Sequence, residues 1–189
     1  MSRTFRVSVS ESLNRIIKAE DRVSTQLEIL QVLPPEQMGG LLADELVKHG
    51  FERDGEKLTR KQDGVTVTVD VTTGTVTVTA EASQETEVEG TREGRAYDDQ
   101  GKHAKQVKEQ LQQELQKDLE RKVTQKTAAL QGQVTDRLEG QLRDLRQELD
   151  QVVNRVTAES LKRKAAQLGQ IKEMTEDPQA GSLTIVVEV

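Results

Sequence analysis

DGVTVTVDVTTGTVTVTA, residues 63–80, alternates valine and threonine almost without a break. Strict alternation of apolar and polar side chains marks strands with one buried and one wet face. Three turn signals punctuate this region at nearly even spacing: Asp54-Gly55, Asp63-Gly64 and Thr73-Gly74. Asp-Gly pairs between apolar runs are strong two-residue hairpin signals, and Thr-Gly is weaker. Two-residue turns at all three sites place Phe51 opposite Leu58, Leu58 opposite Val69 and Val69 opposite Val78. Val71–Val76 and Val67–Ala80 then fall on the same face. A slip of one residue would turn a strand's valines to the other face. A three-residue loop over residues 72–74 is the alternative, and it would set Val71 against Thr75. The reading is an antiparallel meander. Val65, Val67, Val69, Val71, Val76 and Val78 form its buried side, and Thr66, Thr68, Asp70, Thr77 and Thr79 its wet side. Threonine on the wet side suits a soluble strand. A functional threonine ladder is the sharper reading, but Asp70 interrupts the row.

Upstream, Phe5, Val7 and Val9 alternate as on a half-buried strand. Ser10 can cap a short helix whose Leu13, Ile16 and Ile17 share a face. Val23, Leu27 and Ile29 then line one side of a second strand. A helix follows, with Pro35 in its first turn and Gly50 as its stop. Met38, Leu41, Leu42 and Leu46 would face the sheet. Gly39 and Gly40 weaken this helix, or mark close packing or a later start. Downstream, EASQETEVEGTREGRAYDD (residues 81–99) alternates to about Val88 and then fills with glycine and charge. It reads as a strand end and an exposed linker. Glu85, Glu87 and Glu89 share a strand face. Such carboxylates can bind a cation or do acid–base work, but at period two they are more often a solvated edge. The GTREGR segment (residues 90–95) offers arginines to a phosphate, yet lacks the strand–loop–helix cradle, so it too reads as linker.

Residues 101–174 contain no proline and are rich in Gln, Glu, Lys, Arg and Leu. Val107, Leu111, Leu115, Leu119, Val123, Leu130, Val134, Leu138, Leu142, Leu145, Leu149, Val153 and Val156 form a narrow helical seam. Their spacing is mostly four, longer than the heptad mean of 3.5, so a regular left-handed coiled coil is a poor description. A seam of this kind needs a partner. One helix of about 70 residues would reach roughly 100 Å and would need a second chain. An antiparallel helical hairpin supplies its own partner. The segment after EDPQAGS decides between them: LTIVVEV (residues 183–189) is an apolar strand, and the sheet it needs precedes residue 90. The expectation is therefore an α+β head (1–98), a long helical hairpin (99–177) with its tip within 132–140 near Gly132 or Gly140, and a strand (178–189) returning to the head. A monomer with an intramolecular hairpin is favoured, and a coiled-coil homodimer is the alternative.

Hydrophobic residues make up 33% of the 189 and charged residues 32%, too little apolar content for one compact core built from the whole chain. A net charge of −6, with two phenylalanines, one tyrosine and no tryptophan, lacks the footprint of nucleic-acid binders. With no cysteine there is no disulfide, thiolate site or cysteine nucleophile. The start has no apolar signal region, and no stretch approaches the roughly 20 apolar residues of a membrane span, so a cytoplasmic protein is expected. His49, at a helix C-terminus, suits the dipole. His103 lies at the start of the helical segment, and neither histidine has ligand spacing. The EGQLRDLRQELDQ segment (residues 139–151) reads as a solvated, ion-paired helix face. The sequence thus names no catalytic, cofactor-binding or metal-binding residue, and no cofactor.

The order TFRVSVSESLNRIIKAEDRV, LPPEQMGGLLADELVKHGF and LTIVVEV resembles the X-type accessory domains. These are found beside FtsH-like AAA+ ATPases, MoxR ATPases and von Willebrand A proteins in ternary conflict systems. The resemblance covers nearly the whole chain and rests on hydrophobic patterns. It implies a cytoplasmic, non-enzymatic partner of an ATPase, and it carries over no site residue. The favoured function is accordingly an adaptor that binds a protein, an AAA+ ATPase among the candidates, through its helical hairpin or sheet edge. One alternative is a small hydrolase or ligand-binding domain using acidic residues of the head. The other is a nucleic-acid or anionic-surface binder using basic stripes on the hairpin.

Overall fold

The computed structural model describes residues 4–97, 101–177 and 182–188. Its elements are β1 (Phe5–Gln26), α1 (Pro35–Lys48), β2 (Glu52–Asp54), β3 (Lys57–Gln62), β4 (Val65–Asp70), β5 (Thr75–Ala96), α2 (Lys102–Leu168), β6 (Gln170–Asp177) and β7 (Ser182–Glu188). The class is α+β, as expected. One sheet has the order β1-β5-β4-β3-β2, and β6 and β7 form a second. The chain divides into two compact units. The first joins Met1–Glu20 to Glu81–Thr135, and the second joins Asp21–Ala80 to Asp136–Val189. β1, β5 and α2 contribute residues to both.

The second unit holds the meander. Val65, Val67, Val69, Val76 and Val78 are buried, and the threonines between them are half-exposed. The Asp63-Gly64 turn forms as expected. Both residues have positive φ (51° and 76°), and Leu58 lies opposite Val69. The other two hairpins keep the predicted faces but slip by two residues. Gly55, not Asp54, takes the positive φ (62°), so Gly55 and Glu56 form the turn and Leu58 faces Arg53. Between β4 and β5 the loop spans residues 71–74, which sets Val69 against Val76 and Val67 against Val78. Asp70 is the reason. Its carboxylate accepts from Thr72 N (3.0 Å), Thr72 Oγ1 (2.6 Å) and Thr73 N (3.2 Å), while Gly74 N donates to the Asp70 carbonyl at 2.8 Å. The residue that interrupts the threonine row therefore closes the loop, and these donors lower its carboxyl pKa, the Thr72 hydroxyl most.

α1 buries Met38, Leu41, Leu42 and Leu46 as expected, with Ala43 and Glu45 beside them. It ends where Gly50, at φ 80°, lets Phe51 N reach the Leu46 carbonyl. Gly39 marks close packing, because a Cβ there would lie 3.2 Å from the Val71 carbonyl oxygen; at Gly40 nothing lies within 4 Å.

The first unit departs further from expectation. Residues 10–21 are not a helix capped by Ser10, and residues 27–30, which belong to the second unit, are not strand. β1 is continuous from Phe5 to Gln26. Its odd-numbered residues from Phe5 to Asp21, except Arg15, are buried or half-buried, Val9, Ile17 and Ala19 most deeply, while Ile16 is exposed. Glu11 and Arg15 fall in this odd-numbered row and hide the alternation. Leu13, Ile16 and Ile17 mimic a helix face, but Ser10, Ser12 and Asn14 are weak helix formers that suit a strand's wet side. Ser10 shares a hydrogen bond with Thr91 on the neighbouring β5 (2.9 Å), and Asn14 Nδ2 donates to Glu85 Oε1 (2.9 Å). The expected linker after Val88 is instead the far end of β5, which runs to Ala96.

The largest correction concerns residues 102–168, which form one uninterrupted helix rather than a hairpin. Gly132 and Gly140 are ordinary exposed helical positions; a Cβ at either would have no neighbour within 4 Å, and neither makes a turn. The seam finds its cover inside the chain. In the first unit Leu115 and Leu119 cluster with Val9 and Val88, flanked by Leu13, Leu111 and Val123. In the second, Leu145 shares a crevice with Val65, Val67 and Val78, and Leu149, Val152 and Val156 are buried. The C-terminal strand does not return to the meander: β7 pairs antiparallel with β6. β6 takes up residues expected to be helix end and turn; residues 178–181, at the end of that expected turn, lie outside the described residues.

Candidate functional site

Two polar clusters in the second unit bring together residues that are far apart in sequence. In the first, Arg60 on β3 holds Glu148 on α2 with two parallel bonds, Nη1–Oε1 and Nη2–Oε2, both 2.7 Å. The same guanidinium donates to the His49 carbonyl (2.9 Å) and stacks 4.6 Å from the centre of the Phe51 ring. His49 Nδ1 lies 3.1 Å from Glu148 Oε1. The Arg60 bonds hold the Glu148 carboxyl below its ordinary range. In the second cluster, buried Glu45 accepts from Lys48 Nζ (2.8 Å) and Arg155 Nη1 (2.9 Å); its carboxyl is lowered too, Lys48 contributing most. Glu45 and Arg155 also line an open groove of about 920 Å³, together with Leu41, Val156, Lys162, Glu176 and Leu183.

These carboxylates are fastened by cations. A general acid at neutral pH needs a raised pKa, and a general base needs free lone pairs. Glu45 and Glu148 have lowered values, the wrong direction for a general acid, and each carboxylate is tied by cations on both oxygens. No group of three or more His, Asp or Glu side chains among the described residues could hold a metal.

The first unit is fastened differently. Gly90, Arg92 and Gly94 of β5 all face α2. A Cβ at Gly90 would meet Leu115 Cδ1 at 2.7 Å, and one at Gly94 would meet Val107 and Leu111 at 3.1 and 3.2 Å. Arg92 Nε donates to Asp118 Oδ2 (2.9 Å) and Nη1 to Glu114 (2.8 Å), and the Arg92 contact lowers the Asp118 carboxyl. Lys122 Nζ donates to the Glu89 carbonyl (2.7 Å) and Lys126 Nζ to the Glu87 carbonyl (2.9 Å). Two residues of strand thus correspond to four of helix. A helix rises about 6.0 Å in four residues and a strand about 6.7 Å in two, so the two repeats run nearly in step. The dominant spacing of four in the seam is this match, made with a strand pair.

The residues singled out from sequence are dispersed. His103 ring-stacks with Tyr97 at 5.2 Å. Glu85, Glu87 and Glu89 are exposed on the outer face of β5, next to the serine and asparagine row of β1. The arginines of the GTREGR segment part ways: Arg92 is engaged by α2 and Arg95 is exposed. Glu148, inside the segment expected to be a solvated face, turns inward. The seam read from sequence took Val153 and passed over position 148; the structure buries Val152 instead, and Glu148 lies four residues before it.

A family model described as FtsH ternary system domain X5 matches residues 1–189. The chain belongs to this family. An X5 domain is an accessory domain of a multi-component FtsH system, which implies protein partners. Comparison with curated proteins and with solved structures returns no match. No helix among the described residues is long and apolar enough to cross a membrane.

Proposed function

We propose that this X5 domain is a non-enzymatic accessory protein that binds a protein component of its ternary system, the AAA+ ATPase being the first candidate. One observation carries the reading. The seam of α2 and the buried charges are consumed within the chain, while the outer rows of β1 and of β5 after Ala80 stay exposed. The adaptor surface therefore moves from the expected helical hairpin to the sheets. On the first unit the outer face of β5 presents Glu85, Glu87 and Glu89 in one exposed row, a charged surface suited to recognition.

The test is co-expression with the ATPase, MoxR-like and von Willebrand A components of the same system, followed by capture through the X5 domain. Specific recovery of one component, reduced at least tenfold by E85K/E87K/E89K, supports the reading. Recovery of none, with the chain folded by circular dichroism, sinks it.

A further inference from the structure

We infer that β7 is an interface between two copies of this chain, paired antiparallel about a two-fold axis through Ile185. The inference stands apart from the adaptor reading. Among the described residues β6 and β7 form a sheet of two strands, and an isolated pair is marginal in water; a third strand or a covered apolar face is normally needed. The register puts Ile171, Met174, Glu176, Leu183, Ile185 and Val187 on one face, where Glu176 pairs with Lys162 of α2 at 3.7 Å; Ile171, Leu183, Ile185 and Val187 are only half-buried and Met174 is exposed. The unit is built but incomplete.

Its two edges are not alike. β6 carries a bulge between Ile171 and Glu173, and it bears Lys172, Glu173, Glu176 and Asp177. Bulges and charges are how sheets discourage edge pairing. β7, SLTIVVE, has no bulge and a single ionisable residue, Glu188, already paired with Lys172 at 2.7 Å. One edge is protected and the other is left open.

A second copy fits the open edge. With Ile185 on the axis, Leu183 faces Val187 of the second copy and Ile185 faces its own mate. The outer-face pairs are Thr184 with Val186 and Ser182 with Glu188. Every apolar residue meets an apolar one on the inner face, and no charge meets a like charge. The four-stranded sheet β6-β7-β7-β6 places the acidic β6 strands outermost and apart, with Leu183, Ile185 and Val187 of both copies side by side between them. Pairing through β6 would instead bring acidic strands together. This is the self-complementarity that a two-fold interface requires.

Sedimentation velocity of the full chain, from micromolar to millimolar concentration, should show a reversible monomer–dimer equilibrium. Thr184 and Val186 are exposed, so substitutions there spare the fold. T184K/V186K sets the introduced lysines against each other and should weaken the dimer at least tenfold. T184E/V186K sets glutamate against lysine at the same positions and should restore it. The chain has no cysteine, so I185C reports alone: partners across an antiparallel pair lie about 4.5–5.5 Å apart, inside disulfide range, and should cross-link. V187C, whose mate would face Leu183, should not. A single monomeric mass at all concentrations overturns the inference. So does equal behaviour of the two charge variants, or equal cross-linking of the two cysteine variants, including the case in which β7 binds a different protein.

Discussion

The two halves of α2 are held by two kinds of surface. In the second unit the helix lies over a meander and beside α1, where Leu42, Leu46, Leu58, Val69, Val76 and Val152 are fully or almost fully buried. An ion pair at the side, Arg60–Glu148, fixes its rotation. In the first unit, among the described residues, the helix packs against β1 and β5. Two strands cannot wrap a helix, so contact is won by removing side chains. Gly90 and Gly94 let leucines sit close to the strand backbone, and lysines cover the strand edge that a wider sheet would have paired. A thick core tolerates ordinary side chains and stabilises by volume. A thin one depends on fit along a line.

The largest test of this contrast is in the thick core. Leu42→Ala should cost about 3–5 kcal/mol, near the top of the range for a buried leucine, and Leu115→Ala about 2–3 kcal/mol, because a thin core relaxes more readily. Denaturant melts read with segment-resolved hydrogen exchange would separate the two; equal costs would erase the distinction. Gly90→Leu should cost about 1–3 kcal/mol by overpacking, and the lost protection should be confined to residues 107–123 and the facing strands.

Glu148→Ala should cost about 1–3 kcal/mol, since it leaves Arg60 half-buried without its carboxylate. The pH dependence has a definite sign. Glu148 and Glu45 have lowered native values. Their contribution is fully present above the unfolded glutamate value of about 4.3 and fades as pH falls through the lower native value. Glu148→Gln should flatten the acid limb of the stability profile in that window. An unchanged limb would show the pair to be idle. Smallest, Gly132→Ala and Gly140→Ala should each stabilise by about 1 kcal/mol, the helix-interior difference between the residues. A loss at either would argue for a turn there.

Much of the second unit was legible. The valine–threonine alternation, the Asp63-Gly64 turn and the apolar stripe of α1 each state their geometry locally, and they agree. The two-residue slips were not legible, because they depend on which residue of a turn accepts positive φ and on a carboxylate, Asp70, folding back on its own loop. The first unit misled for a different reason. A strand that faces a helix across a narrow gap uses glycine and arginine inward, and such a strand looks like a linker. The hairpin expectation failed on one assumption, that LTIVVEV required an existing sheet, when β6 lay next to it. The polar fastenings follow only from three-dimensional proximity, Glu148 among them, since it lies beside the seam read from sequence and not on it.

The pairing of two strand residues with four helix residues constrains how this chain can vary in length. Removing one helical turn from the first unit shifts every later seam residue of that unit off its seat unless about two residues also leave β1 and two leave β5. Insertions and deletions in three separate stretches of sequence are therefore coupled. Homologues of different length should differ there in blocks, roughly two, two and four, and a single unmatched insertion should be the change this region tolerates least.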